Sequence, residues 1–157
     1  GDQPLEVGSG PPVPSVKLSA CVIARIVDGD TIDCKAQGRV RLIGVDTPEL
    51  SQDPFGAQAA AILADLIPVG TTVGLERDVE ARDRYNRVLA YAWRDSTMVN
   101  WMLVRAGWAV LLTYPPNVRY VDWFTRAQRL ARDEKRGLWA SGGFECMPAD
   151  RRQGRCD

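Results

Sequence analysis

The sequence predicts an α+β fold: a small closed barrel of the OB type, five-stranded and Greek-key, with three α-helices packed beside it. Three observations carry this. Five short, β-branched segments are bounded by turn residues. Apolar stripes of helical period fall between and after them without strict βα alternation, which disfavours a doubly wound parallel sheet. A chain of 157 residues, 45% apolar, is enough for one core.

The elements follow in order. CVIARIV (residues 21–27) is β-branched and runs into Asp28-Gly29-Asp30, a strong turn signal, so residues 31–35 return as its partner. After Gln37-Gly38, RVRLIGV (residues 39–45) reads as a third strand, stopped by Asp46-Thr47-Pro48-Glu49. From Pro54 the period changes: Phe55, Ala59, Ile62, Leu63 and Leu66 form one stripe of a helix that Pro68 ends. Residues 73–76 and 88–93 are two more strands around the polar loop 77–87. A second helix spans residues 99–106 with Gly107 at C′, and a third runs from Asp122, as N-cap, to about Lys135 with Gly137 as its stop. Trp93, Trp101, Trp108, Trp123 and Trp139 sit in or beside apolar segments and are core candidates.

Composition narrows the chemistry. There is no histidine, which excludes a His base, His nucleophile or His metal ligand. Carboxylates must do any acid–base or metal work, with arginine as partner; of 20 basic residues only Lys17, Lys35 and Lys135 are lysine. The formal charge is zero, so a nucleic-acid partner must rest on a local patch. Residues 77 to 136 supply one, with 12 basic against 7 acidic side chains. No apolar run approaches the ~20 residues of a membrane helix. Four cysteines allow three pairings. Cys21 and Cys34 flank a turn, and Cys146 and Cys156 bracket a Gly-, Arg- and Asp-rich tail. Two local bridges are expected, the alternative being four buried thiols. Bridges imply an oxidising compartment, hence a secreted or periplasmic protein. Residues 1–17, rich in Gly and Pro, read as a flexible leader left by removal of a targeting peptide or by trimming. Residues 18–140 are the folded domain, and 141–157 a tail expected to be disulfide-tied.

Three clusters combine carboxylate and arginine: Asp28-Gly29-Asp30-Thr31, the run from Arg41 to Glu49, and Arg82-Asp83-Arg84-Tyr85-Asn86-Arg87. Singly each reads as a turn or a solvated loop. On a continuous third strand Arg41, Ile43 and Val45 share a face, so the guanidinium needs carboxylates or a ligand phosphate nearby. Asp30 and Asp46, brought close by the meander, are hard oxygen donors of the kind Ca²⁺ takes. Arg41 and Arg87 can then clamp a phosphodiester, with Glu49 ready to hold or deprotonate an attacking water.

The runs VDGDTI (residues 27–32), RLIGVDTPE (41–49) and RDRYNRVLAY (82–91), with MVNWMLVRAGWA (98–109) and RGLW (136–139), resemble the staphylococcal nuclease family over roughly residues 20 to 140. The resemblance implies an OB-fold barrel with three helices and Ca²⁺-dependent cleavage of DNA or RNA, single strands preferred. It implies Asp30, Asp46 and the Thr47 carbonyl as calcium ligands, and Glu49 acting on the water. Arg41 and Arg87 would bind the scissile phosphate, and Arg84, Tyr85 and Tyr114 would contact the nucleotide. Asp28 and Asp83 are supporting residues. Asn86 stands where Gly is common in the family, a position that tolerates positive φ. Leu112 falls where a second pocket tyrosine is expected. A monomer with no membrane span and no obligate protein partner is expected. The competing readings are a non-catalytic OB module that binds nucleic acid or protein, and a structural module in which Asp30 and Asp46 bind calcium for stability alone.

Overall fold

The structure is a computed structural model and describes residues 10–156. The expected leader falls largely outside them, at residues 1–9. Of the remainder, Gly10 and Pro11 are buried, Gly10 lying so close to Trp101 that a Cβ there would sit 2.7 Å from the indole.

Chain order is β1 (Ser19–Asp28), β2 (Thr31–Cys34), β3 (Gly38–Leu42), β4 (Val45–Asp46), α1 (Phe55–Leu66), β5 (Thr72–Glu76), β6 (Val88–Arg94), β7 (Thr97–Met98), α2 (Val99–Arg105), β8 (Val110–Leu111), α3 (Val121–Asp133), α4 (Leu138–Ser141) and α5 (Pro148–Arg152). Five strands close the barrel in the order β3-β2-β1-β5-β6, with β3 returning to β6. That closing pair is parallel, Val40 against Val88 and Leu42 against Ala90, while the other pairings are antiparallel. The barrel core contains Ile23, Ile32, Val40, Leu42 and Leu75, and the helices add Leu63, Leu103 and Phe124. Both local disulfides form: Cys21–Cys34 ties β1 to β2, and Cys146–Cys156 closes the tail at a Cα–Cα distance of 6.0 Å. Trp93 and Trp101 are fully buried, and the other three tryptophans pack partly buried against the apolar clusters.

Three local expectations need correction. The third strand does not run unbroken to Val45. It stops at Leu42, turns at Gly44 (φ 82°), and resumes as β4 in a separate two-stranded ladder with β8. A Cβ at Gly44 would strike the Phe124 ring, so glycine is needed for the turn and for the close packing of α3. Arg41 and Val45 therefore do not share one strand face. Instead the Arg41 guanidinium folds over the turn and donates to the Leu42 and Val45 carbonyls at 2.7 and 2.8 Å. Second, Asp122 lies inside the first turn of α3; Tyr120 is the N-cap, without a side-chain cap bond. An acid in the first turn still favours the helix dipole. Third, five helices form among the described residues where three are expected: the short α4 and α5 follow the three expected ones, α5 starting at Pro148.

Two buried polar residues hold the frame. Asn100, at the start of α2, accepts from the Ala92 amide and donates to the Ile43 and Ala90 carbonyls, satisfying the backbone where β3 breaks off. Glu76, 3% exposed at the end of β5, accepts from Trp93 Nε1 at 2.8 Å, from the Tyr120 hydroxyl and from Arg119 at 2.9 Å. Burial and that carboxylate hold the Tyr120 phenol protonated well above its usual range. Glu76→Ala strands the Trp93 and Tyr120 donors, while Arg119 keeps the Arg77 carbonyl and Asp78; the cost is expected to be about 3–5 kcal/mol, read as a Tm drop of roughly 10 °C. A drop of under ~2 °C would mean that the two stranded donors find water instead.

Candidate active site

Four segments converge at one end of the barrel. The β1–β2 turn contributes Asp28 and Asp30, and β3 contributes Arg41. The β4 segment with the loop after it contributes Asp46, Thr47 and Glu49, and the β5–β6 loop contributes Asp83, Arg84, Tyr85 and Arg87. With Leu112 and Tyr114 they line one cavity of about 590 Å³, within the size range of small-molecule sites. All nine residues singled out in the sequence (Arg41, Glu49, Arg87, Arg84, Tyr85, Tyr114, Asp30, Asp46 and Thr47) are on this wall. None of the five tryptophans is.

Asp30 and Asp46 are both buried, 6% and 2% exposed. They meet across Arg41, whose Nη2 lies 3.4 Å from Asp30 Oδ2 and 3.7 Å from Asp46 Oδ1. Asp30 also accepts from the Thr47 amide at 3.0 Å, the Thr47 hydroxyl at 3.2 Å and the Thr31 hydroxyl at 3.0 Å. This close seating of the hairpin turn depends on Gly29, since a Cβ there would lie 2.6 Å from Thr47 Oγ1 and 2.9 Å from the Ala59 methyl of α1. Burial opposes the Asp30 charge, but Arg41, Asp28, Thr47 and Thr31 together hold its carboxyl below the usual range. Burial and the neighbouring Asp30 push Asp28 up to about 6.

Glu49 is held from its backbone. Its amide donates to Gln52 Oε1 at 2.9 Å, its carbonyl accepts from the Gln52 amide at 2.8 Å, and Gly56 of α1 packs directly on that carbonyl, where a Cβ would collide. The carboxylate itself is left half-exposed at the cavity. Gln52, buried and bonded to both ends of this turn, is invisible in the sequence because a single glutamine carries no pattern.

Arg87 is held by Asp83. One carboxylate oxygen of Asp83 accepts the Tyr85 and Arg87 amides at 3.0 and 2.9 Å; the other accepts Arg87 Nε at 2.8 Å. Burial opposes the Asp83 charge, yet these donors keep its carboxyl below the usual range. Asn86 takes φ 66°, the positive value expected at that position. Arg84 donates to the Tyr85 hydroxyl at 2.8 Å, and the Arg84 and Arg87 guanidiniums lie 4.9 and 5.4 Å from the Tyr85 ring centre. Tyr85 is 64% exposed, a rim residue. In Asp83→Asn the amide oxygen can still accept the two backbone donors but its NH₂ cannot accept from Arg87 Nε. The guanidinium is then expected to lose its fixed orientation with the Tm nearly unchanged. An Arg87 side chain equally ordered in the variant's structure would mean that it needs no such anchor.

A family model described as staphylococcal nuclease homologue matches residues 39–141. The chain belongs to the staphylococcal nuclease family. The matched span takes in Arg41 through Tyr114, while Asp28 and Asp30 precede it. The thermonuclease of Staphylococcus intermedius is 36% identical over 147 residues, covering 88% of this chain and 84% of its own. That of Staphylococcus hyicus is 35% identical over 127 residues, covering 76% and 75%. Endonuclease YncB of Bacillus subtilis (strain 168) is 34% identical over 138 residues, covering 82% of this chain and 65% of its own.

One cavity-lining residue outside the sequence reading is Arg152, from α5 in the bridged tail. It grips Asp46 with both Nη atoms, at 2.6 and 3.1 Å. A basic tail residue 106 positions from its partner leaves no local signal of such a contact.

Proposed function

We propose that the protein is a Ca²⁺-dependent nuclease that hydrolyses phosphodiester bonds of DNA or RNA, single strands preferred, in a secreted or periplasmic setting. Nuclease chemistry comes with the family and with relatives named thermonuclease and endonuclease. The cation, the strand preference, the location and the residue roles are what this reading adds. The observation that supports it is the meeting of two buried carboxylates, a half-exposed glutamate and two separately anchored arginines in one cavity.

Asp30 and Asp46 suit a hard cation. Their oxygens converge on one Arg41 nitrogen, and the donor set has neither imidazole nor thiolate. Among the described residues no group of three carboxylate or cysteine side chains is arranged to hold a metal, so carbonyl, water and substrate oxygens complete the shell. Asp30, Asp46 and the Thr47 carbonyl would hold Ca²⁺, which when bound polarises a phosphoryl oxygen as a Lewis acid. Arg41 and Arg87 bind the scissile phosphate and take up the charge that grows on it. Glu49 orients the attacking water and accepts its proton. Arg84, Tyr85 and Tyr114 contact the nucleotide, and the exposed rings of the two tyrosines suit bases free of a complementary strand. The two disulfides favour an oxidising compartment.

The test is release of acid-soluble nucleotides from single-stranded DNA at alkaline pH. Millimolar Ca²⁺ is expected to support cleavage and excess chelator to abolish it. No release at any Ca²⁺ concentration would sink the catalytic reading; binding that persists in chelator without cleavage would favour a non-catalytic module.

A further inference from the structure

We propose that Arg152 is an internal counter-cation of the metal site: it occupies Asp46 in the resting protein, and a divalent cation must displace it to bind. This rests on the cation reading above and adds a residue outside the matched family span, residues 39–141.

The contact is built into the fold. Asp46 of β4 is paired in register with Val110 of β8. Val110 in turn forms a small apolar cluster with Leu138 and Phe144, against which Phe55, Trp139 and Met147 pack. The chain leaving this cluster reaches Cys146, starts α5 with Pro148 at its first turn and returns to Cys156, bridged to Cys146. The ladder that presents Asp46 and the cluster that seats the tail therefore share one residue, which fixes Arg152 over the carboxylate. A fork of two charge-assisted bonds is the strong form of an arginine–carboxylate contact. The Arg152 side chain is 35% exposed and its Nη1 lies 3.8 Å from Glu49 Oε2, so a displaced guanidinium has water and a second carboxylate beside it.

Occupancy of the carboxylate points the same way. Arg152 takes both Asp46 oxygens at once, and Arg41 Nη2 stands 3.7 Å from one of them while reaching Asp30. Asp28 and Glu49 line the same cavity and add negative charge that draws a cation, but a cation that reaches Asp46 must compete with the Arg152 guanidinium for both oxygens. Departure of Arg152 frees the two together.

The experiment is calorimetric titration of CaCl₂ into the full chain, disulfides intact, for wild type, Arg152→Gln and Arg152→Lys. Arg152→Gln is expected to bind Ca²⁺ about tenfold more tightly, and Arg152→Lys, which keeps the charge but not the fork, to fall between. Thermal unfolding supplies a second readout: Arg152→Gln melts below wild type in chelator and gains more from saturating Ca²⁺ than wild type does. Ca²⁺ binding by Arg152→Gln that is no tighter than wild type overturns the displacement and leaves the cation site standing. No Ca²⁺ binding by either protein overturns the cation site, and the displacement with it.

Discussion

Arg87→Ala is expected to lower kcat on single-stranded DNA by about 10³–10⁵, the range supplied by an arginine set against a transferring phosphoryl group. The reason lies in how the side chain is held. Asp83 takes Nε, which orients the guanidinium while leaving its two terminal nitrogens clear of that carboxylate. Two parallel N–H donors are what a phosphate accepts best, and lysine cannot reproduce them. Arg87→Lys should therefore recover little of the rate. Arg87 is bound to a loop and stays outside the core, so the Tm of either variant should lie within a few degrees of wild type. Single-turnover cleavage with Ca²⁺ saturating is the measurement. A kcat within tenfold of wild type would remove Arg87 from the chemistry. By contrast, Arg41 is a poor probe of the same question: its removal strips the turn carbonyls and leaves Asp30 with its neighbour Asp46 short of a partner, mixing stability with catalysis.

Glu49→Gln is the second large effect, an expected loss of about 10²–10⁴ in kcat, as for a positioned proton acceptor. The substitution keeps shape and hydrogen bonding but not basicity, and the Gln52 and Gly56 contacts that hold the loop are to the Glu49 backbone, so they survive. The pH dependence separates two roles. If Glu49 accepts the proton, the acidic limb of the wild-type rate profile disappears in Glu49→Gln. If it only orients water, the limb persists at reduced height. A rate equal to wild type at all pH values would exclude both.

Much of the site can be read before any coordinates because its chemistry sits in turns. Asp30 follows the hairpin glycine, Asp46 to Glu49 end a β-branched run, and Arg84 to Arg87 sit in a polar loop between strands. Each is a short-range pattern. Asp83 is legible as a supporting residue but not its hold on Arg87, and Gln52 is not legible at all: it acts through hydrogen bonds to backbone groups, which no residue type announces. The Arg41–Val45 strand shows where periodicity misleads. Five residues alternate correctly, yet the Phe124 ring from a helix some 80 residues later demands a glycine turn in their midst. The turn does not cost Arg41 its carboxylates; it changes how the guanidinium reaches them.

By itself, the amino-acid order determined the barrel's main strand segments, the three long helices and the turn clusters that supply most of the cavity wall, and it made two local disulfides the expectation among three pairings. These follow from alternation, helical spacing, turn chemistry and loop length, all of which act over a few residues. Only the tertiary structure decided the parallel closure of β3 on β6, the break at Gly44, and the seating of Arg152 on Asp46. Each of those depends on packing between segments far apart in the chain, where burial and charge pairing choose among arrangements that local preference leaves equal.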